Sequence, residues 1–316
     1  MLGLRTARSL TKWSLLSCLT LLPVAPQLAT AQPGGIVVFG TSLSDPGNAY
    51  AALGAATTPP DWSVDAFLVP DRPYARGGHH FSNGATWIEQ FARPLGLAAS
   101  TKGAFTPGGG TNFAFGGARA RNFGTSPSLA VQVGLFLQAT GGTAPAQALY
   151  VIEMGGNDMR DAMQALFEGQ PAEATQILDA AFEAIVGSIQ TLHAAGARQF
   201  LLWNMPNIGT TPALSQTPLA GFADFFAQQF NANLAAALST TLGGIDIAVL
   251  DVYGKFGAVV AQPGDFGLTD ATQACISVEA PFSCAQPNDH LFWDGIHPTM
   301  AGHAIFAHEA AAALAH

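Results

Sequence analysis

Charged residues are scarce in this chain of 316 residues, since only 10% are Asp, Glu, Lys or Arg and 49% are apolar. This balance excludes a long disordered region, which combines high net charge with few apolar residues. Long apolar runs are also missing. The run at residues 13–22 ends before Pro23 and is too short to span a membrane, which takes about 20 residues. The sequence therefore predicts a globular protein with a large core.

Basic residues are fewer than acidic residues, with 12 against 21. Three of the twelve precede that short apolar run, namely Arg5, Arg8 and Lys12. An A-x-A cleavage site follows the run at residues 29–31. This order of features predicts a secretory signal peptide over residues 1–31. We therefore expect a mature chain that begins near Gln32 and is secreted, to the periplasm or to the cell exterior.

After that cleavage, nine basic and 21 acidic residues remain, which give a net charge of −12. A chain this acidic is not expected to bind nucleic acid or an anionic membrane surface as its main partner. The sequence has no H-E-x-x-H zinc motif and no glycine pattern of a phosphate-binding loop or dinucleotide-binding unit. We therefore expect no metal and no organic cofactor.

Cysteine is also rare, with three residues, of which Cys18 lies in the predicted signal peptide. Lipoprotein processing at Cys18 is an alternative, although the residues before it form a poor lipobox. Cys275 and Cys284 remain, and in an oxidising compartment they predict a disulfide that closes a small loop. A metal site would need more ligands than this pair provides.

Short apolar runs alternate with helical stretches along the rest of the chain. Strands are predicted at residues 36–39, 111–115, 148–154, 199–203 and 245–252. Helices are predicted at residues 85–95, 129–138, 172–195, 220–242 and 299–314. Two stretches, residues 50–85 and 262–292, have no sustained periodicity and are predicted to be irregular loops. The alternation predicts parallel βαβ units in one domain over residues 32–316.

A serine stands at the end of the first predicted strand, where open α/β sheets bind their ligands. Ser42 is a weak nucleophile unless a base removes its proton, and histidine is the usual base near neutral pH. Asp294 and His297, three residues apart before the last helix, can supply the base and the acid that orients it. Ser44 is the competing nucleophile, but it is better placed to cap the following turn.

Other predicted strand ends carry small or polar residues, and they are expected at the same edge of the sheet. The tetrahedral oxyanion that forms when a serine attacks a carbonyl group needs preorganised donors. The backbone N–H groups of Ser42 and Gly117 and the side-chain amide of Asn157 are candidates. Gly117 is suited to this position because a residue without Cβ allows close approach to the backbone.

These residues lie in four short blocks, residues 40–45, 112–118, 156–158 and 294–297. Their order and spacing resemble the SGNH (GDSL) family of serine hydrolases over nearly the whole mature chain. The resemblance implies a flavodoxin-like, three-layer α/β/α sandwich with a five-stranded parallel sheet. It assigns Ser42 as nucleophile, His297 as base and Asp294 as its orienting acid, with Ser42, Gly117 and Asn157 forming the oxyanion hole. The absence of a G-x-S-x-G elbow argues against the α/β-hydrolase fold.

Three further stretches, residues 81–89, 266–270 and 292–294, are similar to the secreted phospholipase and glycerophospholipid–sterol acyltransferase branch of this family. The resemblance implies a secreted esterase or lipase that cuts acyl esters through an acyl-enzyme. Its expected partner is a small-molecule or lipid ester, with transient contact with a lipid surface. An acetyl-esterase for carbohydrate esters, a lipid acyltransferase and an inactive binding protein remain alternatives.

One residue departs from the family pattern, because Thr41 stands where the first block has an Asp. That Asp supports the loop, so Thr41 leaves the nucleophile in place and changes the hydrogen bonding around it. Four further polar residues are expected to have no role in the chemistry: His79 and His80 as solvated loop residues, Asp158 as a helix cap, and His303 as a packing or surface residue.

Overall fold

Four parallel strands form the central sheet in the computed structural model, which describes residues 32–315. They are β1 (Gly35–Gly40), β2 (Ala148–Glu153), β3 (Gln199–Trp203) and β4 (Asp246–Leu250). Their order across the sheet is β1-β2-β3-β4. Four of the five predicted strands are therefore present, with β4 shorter at both ends than expected. The predicted signal peptide, residues 1–31, lies outside the described residues.

The fifth predicted strand, residues 111–115, lies along the other edge of β1 without forming a regular strand. The N–H of Val38 donates to the carbonyl of Thr111 (3.0 Å), and the N–H of Phe113 donates back to Val38 (2.8 Å). The N–H of Thr111 instead bonds to the carbonyl of Ser100, and the N–H of Gly40 bonds to the side chain of Gln132 (2.9 Å), which interrupts the ladder. Counted in chain order, the five segments lie in the order 2-1-3-4-5, as in flavodoxin-like folds.

Eight helices flank the sheet within the described residues. They are α1 (Asn48–Leu53), α2 (Trp87–Ala92), α3 (Leu129–Ala139), α4 (Gly156–Phe167), α5 (Pro171–Ala194), α6 (Ala220–Ser239), α7 (Val252–Ala261) and α8 (Met300–Ala313). The five predicted helices are all present. Two further helices, α4 and α7, are not predicted by the sequence, because they begin within three residues of a strand end and no turn-rich stretch separates strand from helix. The helix α1 is also not predicted, because it is too short to show a periodicity.

The core lies on both faces of the sheet, because successive strand residues point to opposite sides. On one face, Phe39 and Tyr150 are fully buried among side chains of α3, α4, α5 and α6. On the other face, Val38 and Val151 are fully buried among side chains of α2, α7 and α8. The predicted three-layer α/β/α sandwich is thus confirmed. None of the helices in residues 32–315 is long and apolar enough to cross a membrane.

The region predicted to be irregular at residues 262–292 contains two short parallel strands, β5 (Asp270–Ala274) and β6 (His290–Phe292). These strands have too few apolar residues to produce a recognisable sequence pattern. Cys275 and Cys284 form a disulfide in the segment between them. Cys275 packs in a small cluster with Tyr74 and Trp293, which joins this region to the long loop before α2.

The aromatic core of the first strand should carry a large share of the stability. Phe39 is fully buried, with its ring 6.0 Å from Phe113 and 5.8 Å from Phe136. We expect Phe39→Ala to lower the free energy of unfolding by about 3–5 kcal/mol, since it leaves a cavity. Urea denaturation followed by circular dichroism would measure it. The matched control is Phe167→Ala, at a side chain that is 76% exposed, which should change stability by about 0.5 kcal/mol or less. Equal effects of the two substitutions would contradict this account of the core.

Candidate active site

Ser42 lies two residues beyond the end of β1, in the crevice at the carboxyl edge of the sheet. The 111–115 segment lies on one side of β1, and β2 lies on the other. The strand order therefore reverses at β1, and the crevice at its carboxyl end is the topological switch point of the fold. The Ser42 side chain is largely buried, and it borders a cavity of about 60 Å³ together with Asn157 and His297. The position predicted from the first strand is therefore the one that the structure shows.

A continuous line of hydrogen bonds connects Ser42 with the segment before the last helix. The Oγ of Ser42 lies 2.8 Å from Nε2 of His297. The Nδ1 of the same ring lies 2.7 Å from Oδ2 of Asp294. All three residues are buried. The structure thus brings together three side chains that are separated by as many as 255 residues.

Asp294 is held by four hydrogen bonds. Its Oδ1 accepts the N–H groups of Ile296 (2.9 Å) and His297 (2.7 Å), which shapes the turn between them. Its Oδ2 accepts both the His297 ring and the hydroxyl of Tyr74 (2.8 Å). Burial and the neighbouring carboxylate raise the pKa of Tyr74 above its ordinary value, so the phenol stays a donor. Tyr74 was not found by sequence reasoning, because it lies in an irregular loop far from Asp294 in the chain.

The three oxyanion-hole candidates converge on the same edge of the sheet. Gly117 has a φ of +78°, a conformation that favours glycine. Neither its N–H nor that of Ser42 forms a hydrogen bond to any group in residues 32–315. Asn157 donates one amide hydrogen to the carbonyl of Ala118 (2.8 Å), and its side-chain nitrogen carries a second hydrogen. Three donors therefore remain available near Ser42.

A buried carboxyl group, Asp45, ties the Ser42 turn to the segment that carries Gly117. Its Oδ1 accepts the N–H of Gly47 (2.8 Å), and its Oδ2 accepts the N–H of Gly116 (2.8 Å). Burial raises the pKa of Asp45 to about 6, and the donated N–H bonds act in the opposite direction. This carboxyl group fixes the position of Gly117 relative to Ser42.

Glu153, at the end of β2, supports the turn around Ser42 by accepting hydrogen bonds from Thr41 and Ser44. It accepts the N–H of Thr41 (2.9 Å), the hydroxyl of Thr41 (2.9 Å) and the hydroxyl of Ser44 (3.0 Å). Burial raises the pKa of Glu153 to about 7, against the effect of these three donated bonds. Sequence reasoning missed Glu153, because its partners are more than one hundred residues away and it resembles an ordinary strand residue.

The contact with Glu153 explains how the turn accommodates threonine at position 41. An aspartate there would bring a second carboxyl group against a fully buried one, and two such groups cannot both be ionised at low cost. The Thr41 hydroxyl instead donates a hydrogen bond to Glu153. Thr41, which replaces the aspartate of the family pattern, thus has a hydrogen-bond partner in Glu153 on the neighbouring strand.

The remaining polar candidates lie apart from the Ser42–His297 pair. Ser44 accepts a hydrogen bond from the Trp87 indole (2.9 Å) besides donating to Glu153. His79 stacks on Tyr50, with ring centroids 3.5 Å apart. No group of three or more side chains suited to bind a metal ion occurs in residues 32–315.

The three other polar residues expected to have no role in the chemistry, His80, Asp158 and His303, are buried or paired. His80 is not solvated as expected, because it is buried and lies 2.8 Å from a carboxylate oxygen of Glu89. Asp158 does not cap α4, since it accepts the N–H of Ala120 (2.8 Å) from a neighbouring loop. His303 packs in the core, where burial lowers its pKa to about 3.

The chain is similar to known proteins over most of its length. The family model described as GDSL-like lipase/acylhydrolase matches residues 36–310. Esterase EstA from Pseudomonas aeruginosa is 30% identical over 90% of this chain, and the chain spans only 47% of the length of that relative. A phosphatidylcholine-sterol acyltransferase from Aeromonas hydrophila is 25% identical, with 95% of this chain and 96% of the relative covered.

Among solved structures, an acetylxylan esterase from Geobacillus stearothermophilus, a catalytic mutant, superimposes with a TM-score of 0.49 and 14% identity. The superposition covers 89% of this chain and 93% of that one.

The raised pKa of Glu153 should make the stability of the protein depend on pH. In the folded protein this pKa is about 7, above the ordinary value of 4.5. The protonated form is therefore favoured by folding, and its contribution to stability is complete below about pH 4.5 and is lost as the pH rises through about 7. Between these values, we expect the free energy of unfolding of the native protein to fall by about 3 kcal/mol more than that of Glu153→Gln.

Urea titrations of both proteins across this pH range would test the expectation. Asp45 and Asp158 are buried in both proteins, so the difference isolates Glu153. Glu168→Gln, at an exposed position at the end of α4, is the matched control and should follow the native curve. Parallel curves for the native protein and Glu153→Gln would contradict the assignment.

Proposed function

The chain belongs to the GDSL-like lipase/acylhydrolase family, and on that premise we propose that it hydrolyses carboxylic esters through an acyl-enzyme on Ser42. The observation that carries the proposal is the line of hydrogen bonds from Ser42 through His297 to Asp294. A serine so placed has a base within 2.8 Å of its hydroxyl, and that base is oriented by a buried carboxylate. This arrangement suits nucleophilic acyl transfer.

The proposed reaction uses each of these groups in turn. The Oγ of Ser42 attacks the ester carbonyl carbon while Nε2 of His297 takes its proton. The tetrahedral intermediate collapses, the bond between carbonyl carbon and alcohol oxygen breaks, and His297 returns the proton to the leaving alcohol. Water then attacks the acyl-enzyme with His297 again as base, which releases the acid and restores Ser42. Asp294 keeps the proton on Nδ1 and stabilises the imidazolium.

The negative charge of the intermediate needs hydrogen-bond donors that are already in place. We assign this role to the N–H groups of Ser42 and Gly117 and to the side-chain amide of Asn157. The two backbone groups are unpaired within residues 32–315, which supports the assignment. Donors with no competing partner need no reorganisation when the charge develops, and such preorganisation is a large part of catalysis in acyl transfer.

An acyl chain is the substrate part that best suits the groove beside Gly117. This groove has a volume of about 1050 Å³, and its lining includes the apolar side chains of Leu53, Phe105, Phe115 and Leu135. We therefore propose that the groove holds the acyl chain of lipid esters. Similarity to a phosphatidylcholine-sterol acyltransferase is consistent with that substrate class, and an alcohol that replaces water would give acyl transfer from the same intermediate.

A short-chain acetyl-esterase is the second candidate. The cavity that Ser42 itself borders has a volume of only about 60 Å³. An acyl group placed there instead of in the groove would have to be very short. The two candidates differ in which depression receives the acyl group, and they predict opposite preferences for chain length.

We also propose that residues 1–31 are a signal peptide and that residues 32–316 form a single secreted domain. The Cys275–Cys284 disulfide supports export, because disulfides persist in oxidising compartments. Leu53 and Phe67 are 55% and 53% exposed, and both line depressions at the site. These exposed apolar side chains support transient contact with a lipid surface.

Removal of the Ser42 hydroxyl should abolish turnover. We expect Ser42→Ala to lower the hydrolysis of p-nitrophenyl butyrate by about a thousandfold or more. The matched control is Ser44→Ala, which removes a neighbouring hydroxyl and should cost no more than about tenfold, since that side chain only supports the turn. A fluorophosphonate probe should add its mass to the native protein and to Ser44→Ala, but not to Ser42→Ala. The proposal fails if Ser42→Ala retains the rate of Ser44→Ala.

A bulky side chain in the groove should lower the turnover of long-chain esters and leave that of short-chain esters unchanged. Ala52 lines the groove, and Ala52→Trp should lower kcat/KM for p-nitrophenyl octanoate by about tenfold, because the chain loses its apolar contacts. The acetate ester should be unaffected. Ala236→Trp, at an exposed position in α6, is the control for the substitution itself. If the native protein turns over only acetate esters, or if Ala52→Trp lowers both rates equally, the acyl chain does not occupy the groove.

A further inference from the structure

Arg160 lines three depressions, one of which is the cavity that Ser42 borders. It follows Asn157 by one turn of α4, and it borders the 60 Å³ cavity together with His297. It also borders the large groove beside Gly117. The third depression, of about 280 Å³, is lined by Arg160 and by Ile296, the residue before His297. A substrate bound at Ser42 that extends into any of these depressions therefore comes near this guanidinium.

The guanidinium of Arg160 lacks a close partner, in contrast to its cationic neighbours. Arg119 and Arg121 both bond to the carboxylate of Asp161, at 2.8 Å and 2.7 Å. The nearest carboxylate recorded for Arg160 is that of Asp65, at 3.9 Å, which is beyond hydrogen-bond distance. The structure records no hydrogen bond from the Arg160 guanidinium to any group in residues 32–315. Five donors on a side chain that is only 36% exposed are thus unused within the protein.

Such a group is costly for the fold and useful for binding. A half-buried guanidinium without hydrogen bonds loses part of its hydration, and here only the charges of nearby carboxylates compensate for that loss. Burial lowers the pKa of Arg160, and the carboxylates of Asp65 and Asp161 act in the opposite direction. An arginine remains charged under these conditions, and its planar fork matches the oxygens of a phosphate or carboxylate.

We propose that Arg160 binds an anionic oxygen group, a phosphate or a carboxylate, on the alcohol portion of the ester substrate. This inference rests on the proposed esterase function, because it names the substrate class of the same site. The alcohol portion is the part that receives a proton from His297, so it occupies the side of Ser42 where His297 and Arg160 share a cavity. The acyl chain is then left to the groove.

Asp65 competes with the substrate for this cation. Its Oδ1 accepts the N–H groups of Phe67 (2.9 Å) and Val69 (3.1 Å), while its Oδ2 faces Arg160. The Asp65 carboxylate is half-exposed and belongs to the irregular loop before α2. An anionic substrate group that approaches Arg160 directly takes the place of this distant and weakly held partner.

The experiment compares two esters that differ only in charge, the octanoyl ester of glycerol phosphate and the octanoyl ester of glycerol. The native protein should have the higher kcat/KM for the phosphate. Arg160→Gln should lower the ratio of the two values by about tenfold, which is the loss of a charge-assisted hydrogen bond, with most of the loss falling on the phosphate ester. Arg160→Lys should retain part of the preference, because it keeps the charge and loses the fork.

Two further variants separate this role from a general disturbance of the site. Asp65→Asn removes the competing charge and keeps an acceptor for the Phe67 and Val69 N–H groups. It should raise the ratio, opposite in sign to Arg160→Gln. Arg93→Gln, at an exposed position after α2, removes a positive charge elsewhere and should leave the ratio unchanged. A ratio near one in the native protein that Arg160→Gln does not alter would overturn the proposal.

Two additions to this experiment, a carboxylate ester and an inorganic competitor, identify the anion that Arg160 binds. The octanoyl ester of glyceric acid tests a carboxylate in place of the phosphate, and a preference over the neutral ester that needs Arg160 supports the proposal in either case. Inorganic phosphate is added to the neutral ester as a competitor. If it inhibits through Arg160 while neither anionic ester is preferred, Arg160 binds free anions and the substrate assignment is wrong. If the native protein hydrolyses no ester at all, the proposed function fails instead.

Discussion

The hydrogen bonds between Glu153 and the residues around Ser42 are the interaction on which the site depends. A serine proposed as nucleophile needs a turn that leaves its hydroxyl to the base and its N–H without a partner. Glu153 accepts the N–H of Thr41 and two neighbouring hydroxyls, so none of these groups competes for the bond between Ser42 and His297. Asp45 performs a similar task for the segment of Gly117. Burial of these carboxyl groups costs stability, which the large apolar core on both faces of the sheet offsets.

The other half of the site is held by an aromatic cluster at the edge of the domain. Tyr74 packs edge-on against Trp62 and Trp293, and its hydroxyl reaches Asp294. The indole of Trp62 also donates to the carbonyl of Ser277 (3.0 Å), beside the disulfide. Two irregular segments, one before α2 and one around the disulfide, thus meet next to the proposed base. Backbone bonds from Cys275 to Phe292 and from Ile276 to Trp293 continue the pairing of β5 with β6, and the side-chain packing adds to the rigidity around the proposed base.

Sequence reasoning located the parts of the site that follow from chain order and missed those that follow from packing. Ser42 stands directly after a buried strand, and Asp294 and His297 share one short turn, so local pattern was enough to find them. Tyr74 and Arg160 have partners or cavities that only the tertiary structure brings together. The fold class was predictable because apolar runs alternate with helical stretches. The fifth strand was not regular because part of its hydrogen bonding goes to another loop.

The threonine at position 41 raises the question of whether this protein is an active hydrolase or an inactive binding protein with the same fold. A binding protein derived from a disabled hydrolase need not retain a base within 2.8 Å of a serine hydroxyl, or two unpaired N–H groups beside it. Unpaired buried donors are costly, and a fold with no use for them has no reason to preserve them. The family aspartate acts as a support, and here Thr41 and Glu153 together support the turn through hydrogen bonds of 2.9 Å. The substitution therefore changes how the turn is held, while the groups proposed to react remain in position.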